Sequence, residues 1–157
     1  MKVYCRGYST CFHPDERDPA VFNTDGTSHK FSQMDDGYRF TYDGEGIGAV
    51  QMRFLRLLSN GARQNFTYNC VDTKAPQRSD IPPDPTRISN IKLFGVNAAE
   101  FREPQIIKDE CKDGFGEIVM EIKTSRTDRL PITDFQPLLF ADAEHQFAFT
   151  VGPICFN

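Results

Sequence analysis

The sequence predicts an α+β fold: mostly antiparallel β-sheet with one main amphipathic helix, linked by disulfides. Three observations carry that expectation. Short stretches of alternating apolar and polar residues recur along the chain, separated by Pro, Gly, Asn and Asp. A single good segment, residues 49–59, has apolar residues at helical spacing. The cysteines Cys5, Cys11, Cys70, Cys111 and Cys155 are widely spaced and form no CxxC pair, which suits disulfides better than a zinc site or buried free thiols.

Taken in order, residues 1–37 are rich in turn formers, with Pro14, Pro19, Gly26 and Gly37 among them. Only residues 1–5 (MKVYC) read there as a short strand. Residues 38–42 (YRFTY) alternate aromatic and polar side chains and predict a strand, and 43–46 (DGEG) a loop. Residues 49–59 (AVQMRFLRLLS) predict a helix packed through Val50, Phe54, Leu57 and Leu58, with Leu55 beside them. Arg53 and Arg56 fall on its polar side, as a solvated face or, alternatively, an anion or partner contact. Asn60-Gly61 supplies the stop signal. Residues 65–70 (NFTYNC) predict a strand. Residues 71–87, with Pro76, Pro82, Pro83 and Pro85, predict an exposed loop rather than an interdomain linker. Residues 88–96 and 115–123 predict strands, the second with Ile118, Met120 and Ile122 on one face. Residues 129–134 and 146–151 predict further short strands.

Composition bounds the function. A chain of 157 residues is one ordinary domain or a piece of a larger one. Hydrophobic content of 39% and charged content of 25% are globular values, so whole-chain disorder is not expected. A net charge of −4 argues against a general nucleic-acid binder, because neutralising phosphates needs a basic surface. No apolar run approaches the roughly 18 residues of a membrane-spanning helix. The aromatic content is lopsided, with 14 Phe, 5 Tyr and no Trp, which is compatible with a packed core.

Catalytic patterns are not found. His13, His29 and His145 form no HExxH, and the chain has no GxSxG elbow or P-loop. Asp35-Asp36 and Asp109-Glu110 are adjacent pairs, and strand neighbours point to opposite faces, so adjacency makes no dyad. No segment fits an EF-hand, and Asp72 and the acidic residues of 80–84 read as loop solubilisers. No catalytic residue and no metal ligand is assigned. Asn65-Phe66-Thr67 is an N-glycosylation acceptor, which with the cysteines favours a secreted chain. Residues 1–7 nevertheless lack the apolar run of a signal peptide, and an odd cysteine count leaves one without an internal partner. One expectation reconciles these facts: the chain is the C-terminal piece of a longer secreted protein. The alternative is a cytosolic protein with inert thiols. Five cysteines allow fifteen two-bridge patterns, so residues alone leave the pairing open.

Four stretches together resemble the fibrillar collagen C-terminal domain, also called the C-propeptide or non-collagenous domain 1. They are 1–5 (MKVYC), 50–70 (FLRLLS, then QN-x-TY and a closing Cys), 118–137 (centred on RLPI-x-D) and 146–156 (ending in GP-x-CF). Their order and spacing agree, and the match spans nearly the whole chain, weakly across about 71–110.

The resemblance implies a fibrinogen-like C-propeptide architecture. Residues 1–157 would be a partial domain, with the upstream third and the triple-helical region lying before residue 1. It implies bridges Cys11–Cys155 and Cys70–Cys111, with Cys5 unpaired in this chain. On chain-entropy grounds they would contribute roughly 5 and 4 kcal/mol respectively. It implies a glycan on Asn65. Calcium is expected for the complete domain, with ligands upstream, so no cofactor and no metal site is carried over here.

The implied role is in the extracellular matrix, as a secreted, non-enzymatic domain that nucleates and selects chains for trimer assembly. Holding three chains by a folded domain turns a slow search for register into a local one. The implied partners are other collagen chains and a procollagen-processing metalloprotease, with no nucleic acid and no membrane. The family's chain-selection segment would fall largely in 71–110. The alternative is a secreted fibrinogen-like or lectin-like recognition domain.

Overall fold

The computed structural model describes residues 3–6, 9–16, 19–24, 29–42, 48–69, 91–101, 104–110, 116–137 and 145–157. Among them are β1 (Val3–Arg6), β2 (Ser9–Phe12), β3 (Ala20–Thr24), α1 (Gly48–Leu58), β4 (Ala62–Asn69), β5 (Ile91–Phe94), β6 (Glu100–Phe101), β7 (Gln105–Asp109), β8 (Glu117–Thr124), β9 (Asp134–Pro137) and β10 (His145–Phe156). Two 3-10 turns, Phe31–Gln33 and Thr127–Arg129, complete the set.

The described strands pair antiparallel in two sheets. The larger has the order β1-β2-β10-β4-β8-β7, with β3 also on β10; the smaller is β6-β5-β9. β10 is 12 residues long and serves two partners on one edge. Its first half pairs with β3, Phe147 opposite Phe22, and its end pairs with β2, Cys155 opposite Cys11. β4 runs along the other edge from Tyr68 opposite Phe149 to Ala62 opposite Phe156. The register slips between Val151 and Ile154, where Gly152 and Pro153 interrupt the ladder. Proline has no N–H to give, so a bulge is where it is tolerated.

Alternation sets the core. Ala62, Gln64, Phe66 and Tyr68 of β4 are buried, and Arg63, Asn65 and Thr67 between them are half-exposed. Across from them Ile118, Met120 and Ile122 of β8 are buried on one shared face. The phenylalanine excess fills the space between the sheets. The Phe135 ring stands 4.7 Å from Phe149, 5.1 Å from Phe66 and 5.2 Å from Phe31, centroid to centroid. Such tilted and stacked contacts add to the burial of area itself.

Several expectations change. The alternation at 38–42 is real, with Phe40 and Tyr42 buried, yet no strand forms. The Phe40 N–H donates to the Thr133 carbonyl (2.8 Å) and the Asp15 N–H to the Thr41 carbonyl (2.8 Å), so this segment bonds to loops instead of a ladder. Residues 129–134 hold the end of a 3-10 turn and a cis Leu130–Pro131 peptide, and the strand starts only at Asp134. In the turn-rich start, β2 and β3 form beyond the expected first strand, because β10 supplies a partner more than a hundred residues away. β6 and β7 were likewise not expected. The expected loops at 43–46 and 71–87 lie outside the described residues.

The helix forms with the expected bounds to within a residue, but its expected packing face is wrong. Val50 is 57% exposed, Phe54 60%, Leu57 77% and Leu58 81%. Met52 is buried, and Leu55 and Arg56 are half-buried. Spacing tells which side chains share a face, and the apolar stripe here is the face turned away from the sheets.

Candidate functional site

The signature stretches meet in a buried polar junction. Gln64, on β4, is 1% exposed. Its Nε2 donates to the Tyr42 hydroxyl (2.6 Å) and to the Gly152 carbonyl (2.9 Å). Its Oε1 accepts the Ile132 N–H (2.7 Å), and the Tyr42 hydroxyl donates to the Ile132 carbonyl (2.6 Å). One amide therefore ties QN-x-TY to GP-x-CF, to RLPI-x-D and to the aromatic stretch 38–42. A buried network with its members satisfied specifies one arrangement of the strands it joins. Burial raises the Tyr42 phenol pKa; the Gln64 bond opposes this and the charge of Asp15 adds to it.

Asp134 closes the next contact. It is buried, and its carboxylate accepts the Ser32 N–H (3.1 Å), the Ser32 hydroxyl (2.5 Å) and the Phe135 N–H (2.9 Å). That explains the acid in RLPI-x-D: it holds the first 3-10 turn, and Phe31 with it, against β9. Leu130 and Ile132 of the same motif are fully buried.

Arg56 joins FLRLLS to RLPI-x-D. Its Nε (3.2 Å) and Nη2 (3.0 Å) donate to the Leu130 carbonyl, and the Thr127 hydroxyl donates to the Arg56 carbonyl (2.7 Å). Arg56 is thus an internal clamp, neither a solvated face nor a partner contact. Burial lowers its pKa; Asp128 opposes the shift and Arg53 adds to it. The clamp seats α1 by its Met52–Leu55–Arg56 side. Val50, Phe54, Leu57 and Leu58 are left outward as a contiguous apolar stripe, the type of patch that marks an interaction surface. Arg53 is exposed beside it.

The site residues read from sequence are placed as follows. Cys11 and Cys155 form a disulfide (S–S 2.06 Å, Cα–Cα 4.1 Å) across a directly opposed pair of β2 and β10. Its sequence separation of 144 residues gives an entropic contribution of about 5 kcal/mol in the chain-entropy treatment. The backbone of Cys5 lies on β1 opposite Thr10. Cys70 and Cys111 lie outside the described residues. Asn65 is half-exposed on β4, opposite Glu121, on the same face as Thr67 of its sequon. Gly152 stands beside it at the bulge. A Cβ there would come within 3.0 Å of the Asn65 carbonyl oxygen and 3.4 Å of its Cβ, so any larger residue would crowd Asn65.

Of the expected chain-selection segment, 91–101 and 104–110 are described, including edge strand β7 with Ile106 and Ile107 about half exposed. Among the described residues no three His, Cys, Asp or Glu side chains group as a metal would require, and no helix is long and apolar enough to cross a membrane. Sequence reasoning missed Tyr42, Gln64 and Asp134. The only signal was their place inside or beside the signature motifs.

A family model for the fibrillar collagen C-terminal domain matches residues 1–156. The collagen alpha-1(I) chain of Gallus gallus is 33% identical over 184 aligned positions, covering 99% of this chain. The chain spans 12% of that relative's length. The comparisons favour the collagen family over the fibrinogen-like or lectin-like alternative. The matched residues take in the junction of Tyr42, Gln64, Ile132 and Asp134, the Arg56 clamp and the Cys11–Cys155 bridge, and the chain belongs to the fibrillar collagen C-terminal domain family.

Proposed function

We propose that the chain is a structural module of the extracellular matrix that brings collagen chains together in threes and nucleates their winding. The observation that carries this reading is the family match over residues 1–156. An interlocked junction of the signature motifs and an outward apolar helix face are what an assembly module needs: a fixed scaffold and something left to bury. The family is structural, so the module is read as working by binding and not by catalysis.

The finer parts of the reading are secretion, a glycan on Asn65, a Cys70–Cys111 bridge, Cys5 unpaired within the chain, calcium binding by the complete domain, and cleavage by a procollagen-processing protease. The half-exposed Asn65 side chain beside Gly152 supports the glycan, because a bulky modification has to project into water.

Light scattering of the 157-residue chain, beside one extended upstream, tests the assembly reading. The extended chain is expected to be a trimer with calcium, and the shorter one to associate weakly, because a standard interface needs about 800 Å² per partner. A monomeric extended chain at all concentrations rejects the reading. A stable, calcium-independent trimer of the shorter chain moves the determinants within residues 1–157.

A further inference from the structure

The chain is acidic overall, with a net charge of −4, yet its cations are not evenly spread. Arg63 on β4 lies directly opposite Lys123 on β8. Like charges paired across strands are destabilising, and neither side chain reaches an acidic partner among the described residues. Lys123 lines two shallow depressions at this end of the sheet. One, of about 300 Å³, is walled by Asn60, Arg63, Thr124 and Ser125. The other, of about 380 Å³, is walled by Gln105, Glu121 and Arg129. Arg126 follows shortly after the end of β8, 71% exposed, with a 3.9 Å contact to Asp128. Glu121 lines the second depression, Asp128 faces Arg126, Asn157 lines the first depression, and Arg129 Nη2 donates to the Glu100 carbonyl at 3.4 Å.

We propose that Arg63, Lys123, Arg126 and Arg129 form a docking track for a sulfated glycosaminoglycan. The two depressions are shallow and lie side by side, sharing Lys123 and Thr124, which suits a linear polyanion better than a compact ligand. Arginine forks match sulfate oxygens two at a time, and the exposed lysine adds a point charge. The aromatic platform that single-stranded nucleic acid needs for base stacking is not free here: the Phe101 ring is covered by the Arg129 guanidinium at 4.9 Å. The choice of a polysaccharide also rests on the extracellular reading above. With the molecule acidic as a whole, binding is confined to this end and is strongly salt-sensitive.

The test is retention of the intact chain on immobilised heparin in a sodium chloride gradient, a readout independent of trimer formation. The parent is expected to be held at low salt. Lys123→Gln with Arg126→Gln should lower the slope of log affinity against log salt by about two, one per cation removed. Lys108→Gln, on β7 and engaged with Glu110 at 2.6 Å, should elute with the parent. Desulfated heparin should fail to compete. A parent that flows through at low salt overturns the proposal, as does a double variant eluting with the parent. Equal competition by single-stranded DNA of matched charge overturns the assignment to a polysaccharide. If the double variant melts early, Arg126→Gln alone carries the test, with an expected slope change of about one.

Discussion

α1 and β4 are consecutive in the chain and invert the usual relation between polarity and burial. α1 presents Val50, Phe54, Leu57 and Leu58 to the outside, 57–81% exposed, while β4 buries a glutamine to 1%. The difference lies in what each can bond to. Gln64 finds three groups placed by distant segments, the Tyr42 hydroxyl, the Gly152 carbonyl and the Ile132 N–H, and every bond its amide makes is internal. α1 is held by a polar clamp at Arg56, which leaves the side chains of its other face without cover from the two sheets. Burial here follows the location of partners, and hydrophobicity alone would have ranked these two segments the other way.

Substitutions along both segments can break that comparison. The largest effect is expected at Phe66→Ala on β4, which removes a fully buried ring packed on Phe135 and Phe149 and should cost about 3–5 kcal/mol in a denaturant melt. A loss under 1 kcal/mol, on the order of a surface change, would place Phe66 outside the core. Gln64→Ala should cost about 1–3 kcal/mol, because it strands the Ile132 N–H and leaves the Tyr42 hydroxyl without its donor. A neutral Gln64→Ala would show that the junction is dispensable.

The same junction makes an alkaline prediction. The folded Tyr42 pKa is raised above its model-compound value of 10.0, so the unfolded chain releases this proton first. Its contribution is complete below pH 10 and declines above it, by about 1.4 kcal/mol per pH unit for this one group. Tyr42→Phe should flatten the alkaline arm of a stability-versus-pH curve by that slope, and an unchanged arm would contradict the burial.

On α1 the effects should be smaller. Arg56→Ala removes the clamp on Leu130 and should cost about 1 kcal/mol, since a half-buried charge is partly screened. Leu58→Ala should fall within about 0.5 kcal/mol of the parent, while Leu57→Ser with Leu58→Ser should reduce self-association in light scattering. A loss of several kcal/mol at Leu58 would mean that the stripe is covered after all.

Much of the β-structure was legible because period-two alternation is local: β4, β8 and β10 were each anticipated in part. The sequence positions of the signature motifs were also legible. The reason those motifs hold particular residues was not. Asp134 is only the last residue of a strand expected over 129–134 until Ser32, 102 residues away, donates two hydrogen bonds to it. Cys11 could be paired with Cys155 only through resemblance, since the contact depends on β2 reaching the far end of β10. The strand expected at 38–42 failed for the same reason, its backbone partners being loops around Thr133 and Asp15.

The sequence by itself determined the fold class, the existence and bounds of α1, the inward face of β8 and, through its motifs, the family. These depend on periodicity and on short strings of residues, which neighbouring positions encode. Only the tertiary structure decided that the apolar side of α1 faces outward, that Arg56 is a clamp and that Gln64 is the centre of the junction. A helix of given spacing can be seated by either face, and an amide can be buried or solvated. Which occurs is set by Leu130, Ile132 and Gly152, brought up from 68 or more residues away by the antiparallel crossing of β10 and the turn before β9.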